Sequence, residues 1–503
     1  PHALYVSHQR IFRSRNGGKS WQVVSPDLSR ASEGTPANLD PVTLADTNGV
    51  SRHGVVYTIA PSPLRAGVVW AGTDDGLVWL TRDGAAHWRN VTPPALTSWS
   101  KVGTIEASHF DTHAAYAAID RHRLEDYAAY IYRTGDDGAT WTAIASGIPN
   151  GSFVNVVRED PQRRGLLYAG TEKGVYVSYD DGAHWQSLQL NLPVTSVRDI
   201  VVHGNDVAIA THGRAFWVLD GVAPLRQRAD ALAASGDYLF APDAAYRLRP
   251  GNDESTPLPR DEAYAENPET GAMLDYYLAS PARTPVVIEI VEANGSVLRR
   301  WSSADKPQTV DAKKITVVPS WIALEQPPSA DGGAHRFVWD FHVKDATGPL
   351  APPGAYTVRL TVNGKTLERP LRVVRDPRIE GSDADLRAQY ALAQEIEALQ
   401  ARVADSRAKA QALERTSLPA AKARALRVEI AGEAPPANPD DSEGSYSHDF
   451  TSFLYLSNAL DYLESAVESA DSAPTHDMVS GFRKLQAIYA KTLARLEGLQ
   501  LAP

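Results

Sequence analysis

Within the first 225 residues, titratable side chains recur at one kind of place, the short polar turns between β-rich runs. These turns read His8-Gln9-Arg10, Asp74-Asp75, Asp120-Arg121-His122, Glu172-Lys173 and His212-Gly213-Arg214. Carboxylates with Arg and His between them suit a polar ligand, and two carboxylates held about 5 to 10 Å apart could cleave a glycosidic bond as acid and nucleophile or base. Asp74, Asp120 and Glu172 are the candidate acids. His212 and Arg214 break the acidic pattern at the equivalent turn of the last unit and are candidate ligand contacts. His53, Lys101, Asn155 and Arg198 lead into the next strands and are expected at the same rim. The plainer reading stands beside this one: short turns are polar because they face water and need Asp, Asn or Gly, and Arg214 then pairs with a carboxylate of a neighbouring unit.

Other chemistries find little here. The 503-residue chain has no Cys, which excludes disulfides, thiolate metal sites and a Cys nucleophile. His109, His113 and His335 lack the spacing of a zinc site, so no metal and no cofactor is expected. There is no Gly-rich phosphate loop and no Gly-x-Ser-x-Gly elbow. A net charge of −11 argues against nucleic acid as a partner. No run of eighteen apolar residues suggests a membrane span.

What must position the turns is a repeat. The phrase Ser/Thr-x-Asp-x-Gly-x-x-Trp appears as Ser14 to Trp21, Thr81 to Trp88, Thr134 to Trp141 and Ser178 to Trp185, with Asn16, Asp83, Asp136 and Asp180 at its acidic position. It reads as a hairpin corner. The Asp or Asn oxygen accepts from backbone N–H groups, Gly supplies positive φ, and Trp21, Trp88, Trp141 and Trp185 plug the gap beside the next sheet. Around it, Ala71-Gly72-Thr73-Asp74-Asp75-Gly76-Leu77-Val78 matches Ala169-Gly170-Thr171-Glu172-Lys173-Gly174-Val175-Tyr176. A unit of about 40 to 50 residues with four short strands is the signature of a β-propeller blade.

The expected fold is therefore mainly β, in three parts: about five propeller blades in 1–228, a β-sandwich in 229–378 and a small α-helical bundle in 379–503. The first blade shows three strands and lacks the innermost, so further blades are expected upstream. Asn294-Gly295 and Asn363-Gly364 mark hairpins of the sandwich. Ser382 to Asp385 marks a helix cap, with helices expected over 419–430, 450–467 and 475–499. Residues 26–52 and 434–447 read as long polar loops.

The turn phrases resemble the Asp-boxes of bacterial neuraminidase-repeat (BNR) proteins, sortilin-type (Vps10) propellers and xyloglucanases. The runs Val156-Val157-Arg158-Glu159-Asp160-Pro161 and Ala210-Thr211-His212-Gly213-Arg214-Ala215-Phe216-Trp217 are similar to a bacterial family of exported propeller proteins often labelled glycosyl hydrolases. That resemblance implies a secreted or periplasmic protein that binds a polysaccharide, with glycoside hydrolysis of a xyloglucanase-like type as the family's activity. Neither catalytic aspartate of the xyloglucanases maps onto a motif in this chain. The sortilin likeness implies instead a non-catalytic module that captures a peptide or protein. Phe337 to Phe341 and Pro353 to Val358 resemble the immunoglobulin-like module of bacterial surface and flagellar hook-capping proteins.

Overall fold

The computed structural model describes residues 3–31, 54–249, 267–311, 313, 315, 317–318, 322, 324–344, 348–414, 419–432 and 451–501. His53, most of the 26–52 loop and the 434–447 loop lie outside these residues. The chain is mainly β and divides into two compact units, Pro1–Arg226 and Gln227–Pro503.

Five antiparallel sheets follow one another in the first unit. The first holds Leu4–Ser7, Ile11–Ser14 and Gln22–Val23. The second holds Val56–Pro61, Val69–Thr73, Val78–Thr81 and Arg89–Asn90. Lys101–Ala107, Ala115–Asp120, Tyr130–Thr134 and Thr142–Ala143 make the third. Val154–Glu159, Leu167–Thr171, Gly174–Ser178 and Gln186–Ser187 make the fourth. The fifth has three strands, Ser196–His203, Asp206–His212 and Phe216–Leu219. Strands pair in chain order within every sheet, and the opening strands of sheets two to five lie side by side in succession. These are propeller blades. In the first sheet the box follows the second strand rather than the third, so its three strands correspond to the second, third and fourth of a full blade.

The Ala-Gly-Thr repeat has a packing cause. A Cβ on Gly72 would come within 2.4 Å of Val102, and one on Gly170 within 2.6 Å of Val197, so only Gly lets the next sheet's opening strand nest there. The Val residues that fill these sites, together with Trp70, Ile105, Tyr168 and Ile200, form the cores between sheets.

Each box closes on itself and then reaches across to the sheet before it. In the fourth sheet Ser178 Oγ donates to Asp180 Oδ1 at 2.8 Å and accepts from Gly182 N, while His184 N donates to Asp180 Oδ1 at 2.9 Å. The same bonds recur at Thr134/Asp136, Thr81/Asp83 and Ser14/Asn16. Hydrogen bonds from the His87 backbone and ring hold Asp83 down to about 2. Those from the Thr140 hydroxyl and backbone lower Asp136 to about 2. The fifth residue of the box has φ of 75° in Gly138 and 88° in Gly182, whereas the second sheet places Ala85 there at φ 78°.

The Trp plugs correct the expectation of which neighbour they seal, because the partner is the preceding sheet. Trp88 Nε1 donates to Val24 O at 2.9 Å, Trp141 Nε1 to Val91 O at 2.8 Å, and Trp185 Nε1 to Ile144 O. Each acceptor follows the outermost strand of the sheet before. Trp185 is 5% exposed, whereas Trp21, with no sheet before it among the described residues, is 43% exposed. Leu4, Val6 and Val23 share that exposed face, and Val201, Phe216 and Val218 are exposed on the fifth sheet.

The second unit contains a three-stranded sheet (Tyr238–Leu239, Ala272–Leu278, Gly333–Trp339) and a five-stranded sheet. The latter runs in the order Ala245–Arg247, Lys365–Arg375, Gly354–Val362, Val287–Glu292, Val297–Ser302. Leu274, Tyr276 and Trp339 from one meet Ile288, Val358 and Leu360 from the other in a shared core. Asn363 and Gly364 turn the hairpin with φ of 51° and 77°, as a two-residue turn with positive φ at both positions requires. Helices follow over Asp383–Glu414, Ala420–Arg424 with a π turn over Ala425–Ala431, Phe453–Val467 and His476–Leu501, packed around Ile396, Leu426, Phe453, Leu460 and Phe482. Ser382 and Asp385 cap the first reciprocally, Asp385 Oδ2 accepting from Ser382 N at 2.8 Å and Ser382 Oγ from Asp385 N at 3.2 Å. Among the described residues no helix is long and apolar enough to cross a membrane.

Candidate functional site

The turns between second and third strands of a blade lie on the end opposite the boxes. The same end receives the starts of the opening strands, and there the four sheets share a device that the sequence conceals. Register slips once in each opening strand, between Val56 and Thr58, Val102 and Thr104, Val154 and Val156, and Val197 and Asp199. The extra residue of each bulge is Tyr57, Gly103, Asn155 or Arg198. A bulge re-aims the side chain it carries and recurs at functional rims. Gly103 is forced by its neighbour, since a Cβ would stand 2.9 Å from Asn155 O, the atom that accepts from Thr104 Oγ1 at 2.8 Å. Asn155 continues the chain of bonds, its Nδ2 donating to Val197 O at 3.0 Å.

All three candidate acids are engaged by their own surroundings. Asp74 Oδ1 accepts from Val55 N at 2.6 Å; burial raises its pKa, against the bond from Val55 and the nearby charges of Arg123 and Lys101. Asp75, beside it, is buried and accepts from Thr73 Oγ1 and from Arg30 N. Asp120 is 3% exposed and holds His122 through both the backbone N–H, at 3.0 Å, and Nδ1, at 2.6 Å. That bond fixes the His122 ring in a stack on Phe153, centroids 5.0 Å apart. Glu172 Oε2 accepts from Ser196 Oγ at 2.6 Å and faces Arg198 at 3.5 Å. The structure thus brings Glu172 and Arg198 together across adjacent sheets, and does the same for Asp74 with Lys101 and Arg123. It gives Asp120 to a buried turn rather than to the open rim.

The cations behave differently. Arg214 and His212 are exposed, and the Arg214 guanidinium has no carboxylate partner among the described residues; its backbone N donates to Thr211 Oγ1 and its carbonyl accepts from Trp217 Nε1. The bridge to a neighbouring carboxylate expected of Arg214 is made instead by Arg198. Lys101 Nζ sits 3.7 Å from the centre of the Tyr57 ring.

Sequence reading missed the aromatic component. Tyr57 is 54% exposed, Tyr127 lies exposed beside Phe153 with centroids 6.4 Å apart, and Phe216, next to the Arg214 turn, is 80% exposed. A signal was present for Tyr57: aligning the opening strands on their buried valines, Val56, Val102, Val154 and Val197, puts Tyr57, Gly103, Asn155 and Arg198 in one column. Such a column, variable directly after a repeated Val and two residues before the apolar Ile59, Ile105, Val157 and Ile200, marks a re-aimed residue. No comparable signal marks Tyr127 or Phe216.

The sequence matches no protein-family model and no curated protein. Among solved structures it is similar to an ancestral GH74 enzyme (14% identity, 60% of this chain and 37% of that one, TM-score 0.32). It is also similar to the GH74 xyloglucanase from Xanthomonas campestris (13%, 73% and 56%, 0.34) and to YCF48 from Cyanidioschyzon merolae (13%, 62% and 94%, 0.26). The chain spans just over a third of the length of the ancestral enzyme, and the propeller assignment rests on the strand pairing described above.

Proposed function

We propose that this is an exported, polysaccharide-binding propeller protein that acts by holding a glycan on the rim opposite its boxes, in the periplasm or outside the cell. One observation carries the reading. At the rim Asp74, Asp120 and Glu172 are each held by a nearby backbone group or by the adjacent sheet, while aromatic rings and cations face out, which is the composition of a binding surface with stacking platforms and charged hydrogen-bond donors. Hydrolysis asks for two available carboxylates across one substrate site, and Asp74, Asp120 and Glu172 each have an oxygen committed to a turn or to an adjacent sheet. The binding role is therefore favoured over the glycosyl hydrolase activity that the Asp-box resemblance implies. The shared-core sheets of the second unit are proposed as an immunoglobulin-like sandwich and its helices as a bundle, both serving assembly.

The test is a panel of soluble plant and cell-envelope glycans, with binding and reducing-sugar release read on the same samples. Binding without release is expected. Release abolished by Asp74→Asn would replace the binding reading by hydrolysis, and binding of unstructured peptides but no glycan would replace it by the sortilin-like alternative.

A further inference from the structure

Glu159 ends the opening strand of the fourth sheet and is 1% exposed. At the same place the opening strands of the second, third and fifth sheets carry Pro61, Ala107 and Val202, so the position does not call for a charge. Among the described residues no cation pairs with Glu159, because those around it are committed elsewhere. His109 Nε2 lies 3.2 Å from Glu106 Oε1, and Arg158 reaches Glu106 at 3.2 Å and Asp199 at 2.8 Å. The next residue, Asp160, takes Arg226, and Arg133 of the third sheet lies 2.7 Å from Asp181 in the fourth sheet's box.

The protons around Glu159 decide its charge. Its Oε2 accepts from Ser108 Oγ and from His109 N, both at 2.7 Å, which suits a carboxylate and a carboxylic acid equally. Its Oε1 stands 3.3 Å from Tyr116 Oη, and that hydroxyl lies 2.6 Å from Asp181 Oδ1. Tyr116 has one hydroxyl proton, and the shorter contact, to a carboxylate paired with Arg133, takes it. Oε1 then meets only lone pairs of the Tyr116 oxygen unless Glu159 brings a proton of its own, and a buried carboxylate without a partner protonates rather than bear the cost of its charge. We propose that Glu159 is a neutral carboxylic acid in the folded protein, donating from Oε1 to Tyr116, and that its ionisation is a pH-sensitive switch in the seam between the third and fourth sheets. Burial raises the Glu159 pKa against the bonds from Ser108 and His109, and burial pushes the Tyr116 hydroxyl up as well, so that it keeps its proton.

The switch has the opposite sign to the box acids. Unfolded Glu159 ionises near its ordinary 4.5, so its contribution to stability is full below that value and is lost as pH rises through the higher folded value, where an unpaired charge forms in the seam. His109, raised by its bond to Glu106, acts in the same direction, its contribution full below its ordinary 6.5 and lost as pH rises through its folded value.

The test compares the full chain with its Glu159→Gln variant, whose amide stays neutral and can still donate to the Tyr116 oxygen. Infrared spectra at about pH 6, where exposed carboxyls are ionised, are expected to show a carboxylic acid band with a component that the variant lacks. Melting temperatures read between about pH 5 and about pH 8 are expected to fall more steeply for the unchanged chain, so that the variant's lead grows with pH. His109 and Asp74, whose pKa values are also raised, are present in both proteins and cancel in the comparison. Should Glu159→Gln fail to fold, Tyr116→Phe removes the oxygen to which the acid donates, and is expected to shift the same band. Three results overturn the proposal: no acid band in the unchanged chain at about pH 6, a band undiminished in Glu159→Gln or unmoved in Tyr116→Phe, and parallel melting profiles for the chain and its Gln variant.

Discussion

The two ends of each blade are built from the same residue types and put them to opposite use. At the box end Asp, Ser/Thr, Gly and Trp repeat four times with the same hydrogen bonds, and the Trp indole ties each sheet to the one before. At the rim end the turns keep the polar character but lose the identity: Asp74, Asp120, Glu172 and His212 occupy related places with four different bonding patterns. Repetition marks the end that holds the propeller together. Divergence between equivalent turns marks the end free to meet a ligand, because nothing structural requires them to agree.

The largest expected effect sharpens the box side of this contrast. Trp185→Ala removes a buried ring and its bond to the Ile144 carbonyl, and is expected to cost about 3 to 5 kcal/mol, as large-to-small aromatic core changes do. Trp21→Ala, at a ring 43% exposed, is expected to cost under about 1 kcal/mol in the same chain. Equal losses in denaturant melts of the two variants would break the assignment of Trp to the preceding sheet.

Next comes the box glycine. Gly182 has φ of 88°, and an added Cβ would stand 2.4 Å from Ile144, so Gly182→Ala is expected to destabilise by about 1 to 3 kcal/mol. At the corresponding place the second sheet has Ala85 at φ 78°, and Ala85→Gly is expected to stabilise by roughly 1 kcal/mol. Opposite signs at equivalent places are the result to look for.

Acid should loosen the box end in a defined window. Folded Asp83 and Asp136 sit at about 2, below the ordinary carboxylate value, so their stabilisation is full above pH near 4 and is lost as pH falls toward 2. Melting temperature measured across that range should drop, and Asp136→Asn should flatten the drop, since Asn16 already fills this place in the first sheet without a titrating group. A steeper acid dependence in the variant would contradict the sign.

An exposed cation of the rim should be nearly silent in denaturant melts. Arg214→Ala removes an exposed side chain with no carboxylate partner among the described residues and should change stability by less than about 0.5 kcal/mol.

The asymmetry also explains what could be read from residues alone. The blades were legible because the box forces Asp, Gly and Trp into fixed spacing, and the hairpins at Asn363-Gly364 and the cap at Ser382 and Asp385 because each needs particular residue types. The direction of the Trp plug was not legible, since a ring beside a turn packs equally well in sequence terms against either neighbour. Nor was the engagement of Asp120, Asp74 and Glu172, because a carboxylate bound by a backbone N–H from a distant loop looks the same in sequence as one facing solvent. The bulges stayed hidden for a related reason. One extra residue in a strand changes which side chains point outward without changing the apolar pattern that identifies the strand.

The central claim, that ligand meets the rim and not the boxes, is tested most directly by amide hydrogen exchange on the full chain with and without a bound glycan. Protection on binding is expected at 121–129, 172–173 and 213–215 and at the strand starts near Tyr57, Lys101, Asn155 and Arg198, with 134–141 and 178–185 unchanged. Protection centred on the boxes, with the rim turns unaffected, would contradict the account.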